Sequence, residues 1–179
     1  MANEATPPAI VEHMLPGQCV VSFDQAAWLG SASERSINEQ MKKQFKGWIE
    51  ENSDILTQVY TTADIERAKE ENKVGIILGW QNTSGIEDQI SYLRLFKELG
   101  VGVIQLTYNT HNWVGSGCWE TNDSGLSDFG REVVDEMNRV GIVVDLSHVG
   151  NRTSEDAIRH SNKPVCFSHC CPTALKDYP

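Results

Sequence analysis

The sequence has no apolar run that approaches the ~18–20 residues needed to span a bilayer. Its polar start, Met1–Pro8, has neither the basic residues nor the apolar stretch of an export signal. Both absences point to a cytoplasmic protein with no membrane partner. Without export, the Asn151-Arg152-Thr153 sequon reads as chance. Positive charge is scarce: 15 Lys and Arg stand against 25 Asp and Glu, for a formal net charge of −10. Such a surface repels nucleic acid and anionic membranes. A disulfide framework is missing too. The five cysteines are odd in number, no two have CxxC spacing, and Cys170 and Cys171 are adjacent, so they read as reduced thiols. Neither Ser147 nor Ser168 sits in a G-x-S-x-G elbow, which sets serine hydrolysis aside.

What is present is alternation. The length of 179 residues, 40% of them hydrophobic, suits one domain with a sizeable core. An irregular, Pro-rich arm occupies residues 1–17, and residues 18–179 alternate short apolar runs with helical patterns. The apolar runs are Cys19–Phe23, Val74–Trp80, Val101–Thr107, Ile142–Leu146 and Val165–Phe167. Helical spacing appears over Ser33–Asn52, over Ile86–Leu99 up to Gly100, and over Leu126–Val140 up to Gly141. Thr61-Thr62-Ala63-Asp64 and Thr153-Ser154-Glu155-Asp156 have the form of helix caps, with helices running to about Asn72 and Ser161. Strands that are apolar on both faces belong to a parallel sheet covered by helices. An open doubly wound sheet and a closed barrel both fit this order. A closed eightfold barrel needs roughly 250 residues, so a barrel would be incomplete in this chain.

In either architecture the reactive groups gather where strands end. The residues past the apolar runs are Asp24; Gln81 and Asn82; Tyr108 and Asn109; Ser147 and His148; Ser168 and His169. Two successive strands thus end in Ser-His, one βαβ repeat apart. Neighbouring parallel strands lie about 4.8 Å apart, so the two imidazoles could share one metal ion. A lone histidine at a strand end is more often a hydrogen-bonded structural residue; two at repeat spacing favour ligation. Asp145, inside an apolar run, needs a partner, either as support for a ligand or as a structural pair. The long loop from Tyr108 to Gly125 carries Asn109, His111, Asn112, Trp113 and Trp119. It either shapes a pocket or is a solvated loop anchored by its tryptophans.

The runs Gly125-Leu126-Ser127-Asp128-Phe129-Gly130, Gly141-Ile142-Val143-Val144-Asp145-Leu146-Ser147-His148 and Lys163-Pro164-Val165-Cys166-Phe167-Ser168-His169 resemble the membrane (renal) dipeptidase family of zinc peptidases. The resemblance is clearest over Lys73–Pro179. It implies a TIM-like (β/α) barrel of the metal-dependent hydrolase type, with two zinc ions bridged by a carboxylate and a hydroxide that attacks a dipeptide carbonyl. On this resemblance His148 and His169 match the two histidines of one zinc site. Tyr108 falls where many members carry a substrate-binding histidine. Gln81 stands at the place of the bridging glutamate, and a neutral amide bridges two cations poorly. No His-x-Asp occurs near the N-terminus, and a substrate-binding arginine and a catalytic aspartate lie beyond Pro179. The chain would then cover about the second to sixth barrel strands.

The expected function is a zinc-dependent dipeptidase-like hydrolase acting on a dipeptide or similar small amide. His148, His169 and Gln81 are the metal candidates, with Asp24 as a lesser one. Tyr108, Asn109 and Asn112 are the substrate candidates. One zinc ion or two is implied, and the missing strands imply self-association. The alternatives are a homologue or fragment that only binds metal or peptide, and a metal-free structural protein.

Overall fold

A computed structural model describes the backbone of residues 19–24 and all of residues 46–170. The expected arm over 1–17, most of the expected Ser33–Asn52 helix and the side chain of Asp24 lie outside the described residues. Residues 46–51 of that helix are helical.

The described elements are β1 (Cys19–Asp24), β2 (Leu56–Gln58), α1 (Thr62–Glu70), β3 (Val74–Trp80), a 3₁₀ turn (Ser84–Ile86), α2 (Tyr92–Glu98), β4 (Val101–Gln105), α3 (Asp128–Val140), β5 (Val143–Asp145) and α4 (Asn151–His160). The five strands form one parallel sheet in the order β1-β3-β4-β5, with β2 also on β3. β1 pairs with β3 from Cys19↔Gly75 to Asp24↔Trp80, and β2 pairs with its first residues. β5 pairs with β4 from Val103↔Val143 to Gln105↔Asp145. A parallel bridge between Asp145 and Cys166 carries the order one step further. A helix links each strand from β2 onward to the next, as parallel crossovers require. This is the α/β architecture of a TIM-like barrel, incomplete among the described residues.

Two core clusters hold the layers together. The larger joins Trp80, Ile104, Leu106, Val144 and Leu146 of the sheet side to Leu93, Phe96, Val133, Val134 and Met137 of α2 and α3. Each such buried side chain is worth about 1.5–3 kcal/mol over its exposed state. The smaller gathers Ile49, Leu56, Val74, Ile76 and Leu78. The rings of Trp80 and Phe96 meet at 3.8 Å between centroids.

Several boundaries differ from the sequence reading. β2 escaped it because three residues are too few to show a pattern. The Ile86–Leu99 helix is broken: Glu87 has φ 52, outside the helical region, and only Tyr92–Glu98 is α-helical. β4 stops at Gln105 instead of Thr107, because the Leu106 carbonyl accepts from Thr83 Oγ1 and Asn112 Nδ2. The Val165–Phe167 run contributes one bridge at Cys166. α3 matches its signals: Ser127 Oγ accepts from the Gly130 amide, and Gly141 stops the helix with φ 78.

α1 is fixed at its start by Asp64, whose Oδ2 accepts the backbone amides of Tyr60 at 2.9 Å and Thr61 at 2.7 Å and the Thr61 hydroxyl at 3.0 Å. The Tyr60 amide bond leads the effects that hold its carboxyl at about 2, from the ordinary 3.8, against the opposing pull of burial. Because the folded value is depressed, the stabilisation is full above pH 3.8 and is lost as the pH falls toward 2. We expect Asp64→Asn to cost about 1–2 kcal/mol at pH 7 and almost nothing at pH 2, read by urea melts at both values.

Candidate metal centre

The site is built around Asp145, the last residue of β5, which is fully buried. Its Oδ1 accepts the Ser147 amide at 3.0 Å, the Ser147 hydroxyl at 2.7 Å and the Ser168 amide at 3.1 Å. Its Oδ2 accepts the Ser168 hydroxyl. Ser147 Oγ in turn accepts the His169 amide at 3.0 Å. One carboxylate therefore pins both Ser-His doublets to one strand end. Asp145 thus finds the partners it needs in the two Ser-His turns.

The two imidazoles meet edge to face with centroids 4.9 Å apart, and their Nε2 atoms are 3.0 Å apart. His169 Nδ1 lies 2.8 Å from Ser168 Oγ. His148 Nδ1 lies 2.7 Å from Asn109 Oδ1. Tyr108 stacks on His148 with centroids 4.4 Å apart and 24° between planes. Burial, and then the neighbouring His169, push the pKa of His148 below the usual histidine value, and the Asp145 charge opposes this without reversing it. The charged form of His148 is thereby disfavoured.

Two left-handed residues face each other here: Asn109 with φ 61 and His148 with φ 60. The segment Gly117–Trp119 clamps both. The Cys118 amide donates to the His148 carbonyl at 3.0 Å and the Trp119 amide to the Asn109 carbonyl at 2.8 Å. The long loop is then latched to α4 by Asp123, which accepts from the amides of Arg152 and Thr153 and from Thr153 Oγ1. Burial opposes the ionisation of Asp123, but bonds from Thr153, Gly125 and Arg152 outweigh it and hold its pKa low. α4 consequently starts at Asn151, after Gly150, and not at the Thr153-Ser154-Glu155-Asp156 cap read from sequence. Its N-terminal amides are satisfied from about 30 residues upstream, which no local pattern shows.

The sequence candidates separate in space. His148, His169, Tyr108 and Asn109 come together. Asn109, expected against substrate, has its carbonyl oxygen on a histidine. Asn112 has its amide consumed: the two Nδ2 hydrogens are shared among Leu106 O, Asn82 Oδ1 and Thr83 Oγ1, and Oδ1 accepts from the amides of Val114 and Gly115. It is a staple of the loop. Gln81 follows β3 directly. The loop tryptophans do not anchor it, since Trp113 and Trp119 are 72% and 74% exposed. Gln105 was missed: it is fully buried beside Asp145 and donates from Nε2 to the Ser147 carbonyl. A polar residue inside the apolar run Val101–Thr107 was the available signal.

The donor pair fits a metal ion. Nitrogens bonded at 2.0–2.1 Å to one ion lie about 3.3 Å apart at a tetrahedral angle and nearer 3.0 Å at a right angle. The observed 3.0 Å falls there. Among the described residues no cluster of three or more His, Cys, Asp or Glu side chains is placed to hold a metal. Among the same residues no helix is long and apolar enough to cross a membrane.

Residues 8–179 match the family described as membrane dipeptidase, peptidase family M19. The chain is 37% identical over 110 residues to an uncharacterized dipeptidase of Schizosaccharomyces pombe, covering 59% of this chain and 26% of that protein. It is similar to a solved amidohydrolase of Pseudomonas aeruginosa, with a TM-score of 0.78 and 44% identity over 91% of this chain and 54% of the other. It shares the fold of a metallo peptidase of Rhodobacter sphaeroides solved with a phosphinate mimic of the dipeptide L-Ala-D-Ala. There the TM-score is 0.70 and the identity 22%, over 82% of this chain and 42% of the other. The chain thus spans between about a quarter and about half of the length of these relatives.

Gly117 tests how far the loop sets the site. A Cβ there would lie 2.2 Å from the Asn109 carbonyl carbon and 2.5 Å from the Thr110 nitrogen, both backbone atoms. Gly117→Ala is expected to cost about 1–3 kcal/mol and to shift the His148 imidazole resonances, because Asn109 must move. Thermal melts and NMR check both effects; unchanged His148 signals would separate the loop from the site.

Proposed function

The chain belongs to the membrane dipeptidase family, and on that ground we propose that it carries part of the metal centre of a hydrolase that cleaves a dipeptide or similar small amide. The observation that carries this reading is the pair of Nε2 atoms 3.0 Å apart at the strand ends. His148 and His169 would hold the ion. Zinc is the metal we propose, since it takes neutral imidazole readily. When bound, zinc supplies Lewis acidity and brings the pKa of water to about 7. The chain's own residues do the rest. Asp145 fixes both Ser-His turns through Ser147 and Ser168. Tyr108 covers one face of His148 and screens it from water. Its hydroxyl is the substrate contact we propose.

A second reading is supported by Gln81. Where the family resemblance puts a bridging carboxylate, this chain has a neutral amide, which favours a protein that binds metal or peptide with impaired turnover. Self-association is proposed as well. Val143 of β5 and Phe167 beyond it are 41% and 50% exposed, and an uncovered sheet edge promotes pairing. Light scattering should show species larger than 20.0 kDa; a monodisperse monomer argues against it.

Zinc titration and dipeptide hydrolysis are to be measured on the same preparations. The wild type is expected to bind zinc, and His148→Ala and His169→Ala each to lose at least roughly 100-fold in affinity together with any turnover. Gln81→Glu is expected to tighten binding and raise turnover. Zinc binding without hydrolysis in wild type, with hydrolysis gained in Gln81→Glu, supports the second reading; no zinc binding in any of them removes both.

A further inference from the structure

The two histidines are held by different devices with the same effect. Ser168 has one hydroxyl proton, and it goes to Asp145 Oδ2. The Ser147 proton goes to Oδ1 of the same carboxylate. Ser168 Oγ can then only accept from the His169 Nδ1 that lies 2.8 Å away, so that nitrogen carries the ring proton. On the other ring, Asn109 Oδ1 faces His148 Nδ1 at 2.7 Å and also accepts from Cys118 Sγ. A carbonyl oxygen cannot donate, so His148 Nδ1 is the protonated one as well.

We infer that Asn109 and Ser168 are positioning residues that force both imidazoles into the Nδ1–H tautomer, so that two Nε2 lone pairs converge on one cation site. The inference rests on the metal reading above. Two nitrogen lone pairs facing each other at 3.0 Å repel unless a cation lies between them. The surrounding structure thus withholds the simplest alternative, in which one imidazole donates Nε2–H to the other. Asn109 suits the task twice. Its oxygen anchors the ring, and asparagine tolerates the left-handed backbone, φ 61, that aims the oxygen there.

That double role sets the experiment, because backbone and side chain can be separated. Asn109→Gly keeps the left-handed backbone and deletes the acceptor; Asn109→Asp keeps both. Zinc affinity, by competition with a chromogenic chelator, should fall roughly 10–100-fold in Asn109→Gly and be retained in Asn109→Asp. Ser168→Ala should fall similarly, and Ser168→Thr should recover. Nitrogen-15 NMR of the metal-free full chain at pH 8 gives a readout independent of metal. Wild type should show protonated Nδ1 on both rings. Asn109→Gly should release His148 alone, and Ser168→Ala should release His169 alone. If wild-type His148 carries its proton on Nε2, or if Asn109→Gly binds zinc like wild type, the inference is overturned. Failure of wild type to bind zinc while the tautomers respond as described would instead count against the metal reading.

Discussion

A carboxylate with no access to water survives only among donors, and Asp145 has four: two serine hydroxyls and two backbone amides from two separate strand ends. The placement of both Ser-His doublets at the candidate centre follows from that arrangement. Ser147 and Ser168 are drawn to the same group, so the histidines that follow them are carried to the same point on the rim. Replacing Asp145 with an apolar residue would leave four polar groups facing a void, and the cost would fall on the register of β5 against the Cys166 bridge as well as on the site.

The long loop is the second constraint, and it acts by cross-linking. Gly117–Trp119 bonds the backbones of Asn109 and His148, Asn112 ties the loop to the end of β3, and Asp123 ties it to the start of α4. The loop is therefore an ordered wall of the site despite having little regular secondary structure. At Gly117 the Asn109 backbone passes so close that no side chain fits.

Much of this was legible in the order of residues. The β-α alternation, the parallel sheet and the two Ser-His strand ends followed from periodicity and from the rule that polar groups collect where strands end. The family followed from the runs around them. What sequence did not disclose were interactions across long separations. Asn112 and Asn109 look alike as loop asparagines, yet one is spent on the loop and the other on His148. The true cap of α4 lies on another segment, and Glu87 breaks a helix whose apolar spacing runs straight through it. Local patterns record which face a residue prefers; they do not record which distant carbonyl will claim it.

Asn109 and His148 are 39 positions apart, and His169 is 21 further on. During synthesis the chain emerges from its N-terminus, so the Tyr108 loop and His148 are out before their last partner exists. If the two histidines hold an ion as proposed, each imidazole alone would hold it weakly. Only once Ser168 has docked on Asp145 does a paired grip appear. On the metal reading proposed above, an ion would bind the finished strand order more tightly than the open chain and so stabilise it.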